Sequence, residues 1–138
     1  MADVLELRKF WSKTYKELGV DAILHVALPL PALKCGTSGD LTGAFSYTLL
    51  GNLILFPAGV VPVTTIREEE QEYPMENLPK NQRDHWAKKA SACMEGSAGM
   101  PMSVAVMTEM YRDEKCLRIM KEVERVVEFD ETPEAWKE

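Results

Sequence analysis

Several things are scarce in these 138 residues, and each scarcity excludes a class of protein. Basic residues are outnumbered, 16 against 22 acidic, for a net charge of −6. The one short basic cluster, Lys88-Lys89, is too small to neutralise a phosphate backbone, so nucleic acid is excluded as a partner. The cysteines number three, Cys35, Cys93 and Cys116. They form no CxxC pair and leave one thiol over in any disulfide scheme, which points to a reducing compartment and inert thiols. The opening MADVLELRKFW carries acid where a secretory signal needs a basic region followed by an apolar run. Repeats and low-complexity stretches are also missing, and 46% hydrophobic with 28% charged residues is the balance of a globular chain, not a disordered one.

Charge is locally absent as well. No Asp, Glu, Lys or Arg stands between Asp40 and Arg67, a run that as one helix would cross the ~30 Å hydrocarbon core of a bilayer. Gly43, Gly51, Asn52, Pro57, Gly59 and Pro62 interrupt it, and a continuous spanning helix tolerates such a series poorly. Strands covered on both faces also read as unbroken apolar runs. The stretch is therefore expected to be folded core, with no transmembrane segment.

What is present alternates in kind. Residues 3–18 place Val4, Leu7, Phe10 or Trp11, Thr14 or Tyr15, and Leu18 on one helical face, with Gly19 as the stop. DAILHVAL (21–28) reads as a buried strand running into a Pro-rich loop. Thr42 or Asp40 is placed to cap a helix over roughly 42–53. GVVPVTT reads as a strand in which Pro62 marks an edge or a bulge. A solvated loop follows from Arg67 to Lys80. QRDHWAKKASACM reads as a helix and MPMSVAVMT as a strand. RDEKCLRIMKEVERVV reads as a helix with Cys116, Leu117, Met120, Val123 and Val127 inward. Helix and strand alternate through seven elements, which predicts an α/β fold with a mixed sheet.

Single residues with chemical potential read blandly. His25 lies in an apolar strand as a core histidine, and His85 beside Asp84 lies on a helix surface. The REEE run at 67–70 has no second ligand cluster to make a cation site. Met100, Met102, Met107 and Met110 supply adaptable packing against an apolar channel or core.

Three segments together are more specific. TGAFSYTLLGNLILFPAGVVPVTT, then GMPMSVAV, then YRDEKCLRIMKEVER resemble the C-terminal part of the amidase-signature hydrolases, and within them the fatty acid amide hydrolases. The resemblance covers residues 5–127, leaving 128–138 as a polar tail. It implies that residues 1–138 form a single segment equivalent to the C-terminal quarter of an amidase domain. It further implies hydrolysis of fatty acid amides by a Ser, cis-Ser, Lys set, in which a desolvated Lys serves as base and backbone N–H groups hold the oxyanion.

That set is not found here. No GGSSGGE-like segment occurs; GTSGD (36–40) lacks the serine pair and GSAG (96–99) has one Ser. No lysine of this chain inherits the catalytic role, so no catalytic residue is assigned and the chain alone is expected to be inactive. What carries over is the wall of the acyl channel, at Thr42, Phe45, Leu49 and Trp86. Three positions depart from the family pattern: Leu55 stands in place of Asp, Ala105 in place of Gln, and Gln82 in place of an aromatic residue. The expected partners are a fatty acyl amide or related lipid and the upstream catalytic core. No cofactor or metal is expected. Two functions remain open: a portion of a serine amidase, or a stand-alone lipid-binding or interaction module without catalysis. The expected location is intracellular, cytoplasmic or peripheral on endomembranes. Unpaired sheet edges are expected to favour self-association.

Overall fold

The computed structural model describes residues 2–33 and 35–130. Of the polar tail expected at 128–138, residues 131–138 lie outside the described residues. Helix α1 (Ala2–Leu18) begins with Asp3 and carries Lys16 in its last turn, each charge opposing the helix dipole. Its inward stripe is Leu7, Trp11 and Tyr15, spaced i, i+4, i+8. That spacing resolves the two alternatives in favour of Trp11 and Tyr15; Phe10 and Leu18 are exposed. The helix ends at Gly19 with φ +62°.

Three strands follow: β1 (Ile23–Val26), β2 (Ala58–Thr65) and β3 (Pro101–Met107). They are ordered β1-β3-β2. Ile23 pairs with Met107 and Val26 with Val104; Ala58 pairs with Met107 and Thr65 with Pro101. Both ladders are antiparallel. The α/β alternation is therefore as expected, while a mixed sheet is not formed among these three strands. The physical reason is insertion. β1 and β2 run in the same direction, as strands joined through a helix do, but β3 lies between them and opposes both. Pro62 sits on an edge strand and at a bulge, since the register shifts between Pro62 and Thr64. An edge spares the missing N–H a ladder partner.

The two sheet faces are covered by different helices. Residues paired across a ladder point to the same face, so Ile23 and Met107 share one face, Gly59 and Val106 the other. On the first face, α1 and α2 (Ser46–Ile54) close a core of Tyr15, Ile54, Phe56 and Met107. The buried Tyr15 hydroxyl donates to the Met107 carbonyl at 2.7 Å. Burial pushes its phenol pKa up to about 12. On the second face lies α4 (Asp113–Val127). Its Met120 rests over Gly59 and its Cys116 thiol donates to the Val106 carbonyl at 3.5 Å. Burial also pushes the Cys116 thiol above its usual range. Leu117, expected inward, is 64% exposed: the stripe runs through Cys116, Ile119, Met120 and Val123, and one residue's step of about 100° turns Leu117 away.

A smaller apolar cluster of Leu30, Leu41 and Ala90 lies apart from the first. It joins the Pro-rich loop, a 3₁₀ segment (Ser38–Phe45) and α3 (His85–Met94). Helix α3 begins later than its sequence suggests because Asp84 is its cap, accepting from the Ala87 N–H at 3.0 Å. The 67–80 stretch is a loop with short 3₁₀ turns. No helix among the described residues is long and apolar enough to cross a membrane, and the uncharged run is divided between the 3₁₀ segment, α2 and β2.

Candidate functional site

The residues singled out for an acyl channel lie around the entry to α2. The single helix expected over 42–53 is two elements. The 3₁₀ segment is kinked at the buried Leu41 (φ −122°, ψ 29°) and passes into α2 at Ser46. The expected cap is absent. Thr42 Oγ1 donates back to the Gly39 carbonyl at 2.8 Å, and the Asp40 carboxylate is held by Lys89 Nζ at 2.7 Å. That hydrogen bond and the ammonium charge lower the Asp40 pKa below the usual carboxylate range. In a 3₁₀ turn residues i and i+3 eclipse, which aligns Thr42 with Phe45, and Leu49 follows one α-helical turn later. All three face outward: Thr42 is exposed, Phe45 is 40% and Leu49 57% exposed. Trp86, in the first turn of α3, is 49% exposed and meets the His85 ring edge-on, centroids 6.2 Å apart.

Two open cavities flank this entry. One, of about 360 Å³, lies between Leu41, Ala44, Tyr47, Tyr73, Trp86 and Ala90, with Gln82 and Asp84 on its wall. The other, of about 330 Å³, lies between Leu30, Phe45, Thr48, Val60 and Met102. The 44–48 turn divides them: Ala44 and Tyr47 face the first, Phe45 and Thr48 the second, and Leu30 borders both. Phe45 and Trp86 therefore line different cavities. Tyr47, Tyr73 and Val60 are missed in the sequence, whereas Met102 reads there as adaptable apolar packing. Tyr47 lies two residues after Phe45, while the others arrive by tertiary folding and leave no local signal.

The polar side chains here are largely engaged in structure. Ser97 and Thr108, the buried polar residues among the described residues, donate to the carbonyls of Met94 at 2.6 Å and Arg112 at 3.1 Å. Lys13, Lys89 and Lys115 pair with Glu17, Asp40 and Asp21. The acidic 68–70 turn is consumed by Arg67, whose guanidinium reaches Glu69 at 3.4 Å and Glu70 at 2.6 Å. Among the described residues no group of three or more His, Cys, Asp or Glu is disposed to hold a metal ion. His25 lies partly buried on edge strand β1, its Nδ1 2.9 Å from the Val26 carbonyl.

Comparison with known proteins decides the family. The amidase family model matches residues 1–117. The chain belongs to the amidase family. It is 42% identical over 113 residues to fatty-acid amide hydrolase 1 of Sus scrofa, covering 82% of this chain and 19% of that protein. It is 34% identical over 135 residues to fatty acid amide hydrolase 1 of Caenorhabditis elegans, covering 91% and 23%. An amidase of Gibberella moniliformis is 38% identical over 61 residues, covering 44% and 11%. The chain spans about a fifth of the length of the two hydrolases.

In this member of the amidase family the FPAGVVPVTT segment is constrained at several positions. Leu55 ends α2 in the left-handed region (φ 55°). The Phe56 N–H then returns to the Gly51 carbonyl at 3.0 Å while its ring enters the core. The Pro57 carbonyl accepts from the Thr108 N–H at 3.0 Å. A Cβ at Gly59 would overlap the Met120 Sδ.

Proposed function

We propose that this chain supplies part of the acyl-binding wall of a serine amide hydrolase whose substrates are fatty acid amides. The observation that carries the reading is the 42% identity over 113 residues to a fatty-acid amide hydrolase, and the cavity beside Phe45, which no ionisable residue lines, is consistent with it. Thr42, Phe45, Leu49 and Trp86 are the proposed substrate-contacting residues. Nucleophile, bridging Ser and Lys come from outside these 138 residues, in an upstream amidase core with which the chain works. Its partners are thus that core and a fatty acyl amide or related lipid. Three free thiols support an intracellular setting, cytoplasmic or peripheral on endomembranes. Among the described residues the outer edges of β1 and β2 are without a strand partner, which favours self-association when the core is missing.

A second reading, a non-catalytic lipid-binding or interaction module, is favoured by the purely structural use of the Ser97 and Thr108 hydroxyls. One experiment separates the two. The purified chain is expected to release no amine from a long-chain fatty acid amide above a heat-treated control. Joined to an upstream amidase core it is expected to do so, with Phe45→Ala and Leu49→Ala changing the long-over-short kcat/KM ratio by roughly ten- to a hundredfold. A fluorophosphonate-labelled Ser within the chain sinks the assignment of catalysis elsewhere. An unchanged chain-length profile sinks the channel residues.

A further inference from the structure

Among the described residues three that are not glycine adopt the left-handed backbone region: Leu55 (φ 55°), Tyr111 (φ 62°) and Glu128 (φ 51°). Glu128 ends α4. The other two are bulky and face solvent, Leu55 at 63% and Tyr111 at 85% exposure, the latter the highest among the large hydrophobic side chains described. Leu55 precedes Ala58 and Tyr111 follows Met107, the pair that closes one end of the β2-β3 ladder. Both line one cavity of about 380 Å³, whose wall continues through Phe56 and Pro57. Glycine would hold either turn without strain. A branched and an aromatic side chain, kept in strained backbone around one exposed cavity, are doubly unfavourable until another surface covers them.

Charge decides what that surface is. Tyr111 also lines a second cavity, of about 410 Å³, where Glu109, Arg112 and Glu114 stand beside the Asp21–Lys115 ion pair. With Asp113 on the wall of the first cavity, Glu109, Asp113 and Glu114 outnumber Arg112 once that pair is set aside. The patch thus has an apolar centre and an acidic rim, as protein interfaces have apolar centres and polar rims. A second copy would set acid against acid, in a chain whose net charge is −6. We propose that the Leu55–Tyr111 patch docks this chain on the upstream amidase core, through an apolar side chain of the core seated in the 380 Å³ cavity and bordered by lysine or arginine facing Glu109, Asp113 and Glu114. The inference rests on the reading that such a core accompanies the chain, and it names the surface that meets it. The matched stretch is 19% and 23% of the two hydrolases, so most of each is left to supply that face. Pro101, Met102 and Ser103, beside the Phe45 cavity, lie toward the other end of the ladder. Docking here leaves that cavity open.

The test compares the full 138-residue chain with the same chain joined to the upstream portion of the Caenorhabditis elegans hydrolase, both footprinted with hydroxyl radicals at low protein concentration. Oxidation of Leu55 and Tyr111 is expected to fall about tenfold on joining, as both pass into a desolvated contact. Tyr111→Gly relieves the backbone, so it is expected to raise the urea midpoint of the chain alone and to lower that of the joined protein. Midpoints that move in the same direction overturn the inference. A joined protein that hydrolyses a fatty acid amide with both residues still oxidised as in the chain alone overturns it too and leaves the fatty acyl reading standing. Protection in a joined protein without hydrolysis supports the docking and sinks that reading, and neither protection nor hydrolysis overturns both. Protection that appears in the chain alone as its concentration rises also overturns the inference, because a second copy then covers the patch.

Discussion

Around Met107 the apolar interior is closed between one face of a sheet and two helices, with Tyr15, Ile54 and Phe56 packed on strands whose backbones are tied by two ladders. Around Leu41 it is assembled from a loop, a 3₁₀ segment and one helix, with no ladder through it and the 360 Å³ cavity open on its flank. The first arrangement fixes main chain and side chain together. The second fixes side chains alone, so it yields more readily to local opening. The proposed lipid-contacting residues sit at the boundary of the two, where a rigid floor meets an adjustable wall.

That contrast is easiest to break at its strong end. Met107→Ala is expected to destabilise the chain by ~2–5 kcal/mol, read as a lower urea midpoint, because the sheet and two helices hold the void open. Leu41→Ala is expected near the low end of that range, ~2 kcal/mol, since its surroundings collapse more easily. Hydrogen exchange in that variant should quicken in the 38–50 and 85–94 amides and leave β3 protected. Equal losses at both sites, with β3 deprotected in each, would merge the two centres into one.

Tyr15 sharpens the comparison through pH. Tyr15→Phe leaves the Met107 carbonyl without its hydroxyl donor and is expected to cost ~1–3 kcal/mol. Burial holds the folded phenol near about 12, above its unfolded value of about 10. Between those values the unfolded state gives up its proton first, so folding stability attributable to Tyr15 is full below pH ~10 and lost as pH rises toward 12. The parent should show that alkaline decline more steeply than the Phe variant, measured by urea titration across the range; parallel curves would remove Tyr15 as the cause. The smallest effect belongs to Asp40→Asn. Its partner Lys89 is exposed on the surface of the second centre, and such pairs contribute little. No resolvable change in the thermal midpoint is expected, and a clear drop would show that this centre relies on its ion pair.

Much of this was legible locally. Pro62 announced an edge or a bulge and is at both, because a missing N–H has few places to go. Leu7, Trp11 and Tyr15 fell at helical spacing. The 42–45 stretch was misread as the beginning of a helix because spacings of three and four fit both a 3₁₀ turn and an α-helix, and the chain kinks just before it at Leu41, which is buried with Leu30 and Ala90. The position of β3 between β1 and β2 has no local signature, since Val-rich strands read alike whatever lies beside them. For the site, Phe45 and Trp86 were identifiable only by family resemblance. Their separation into two cavities depends on how the 44–48 turn is set between Leu30 and α3, which no short window of sequence records.

The inserted strand has a consequence for the order in which this chain can fold. Among the described residues β1 and β2 do not pair with each other; each finds its ladder on β3. A ribosome must therefore deliver the first residues of β3 before this sheet can begin to pair, and Met107 before both ladders can be complete, while apolar strand segments wait unpaired. Such deferred, long-range pairing makes folding slow and exposes the nascent chain to aggregation, so assistance from a holding chaperone matters most in the interval just before β3 emerges.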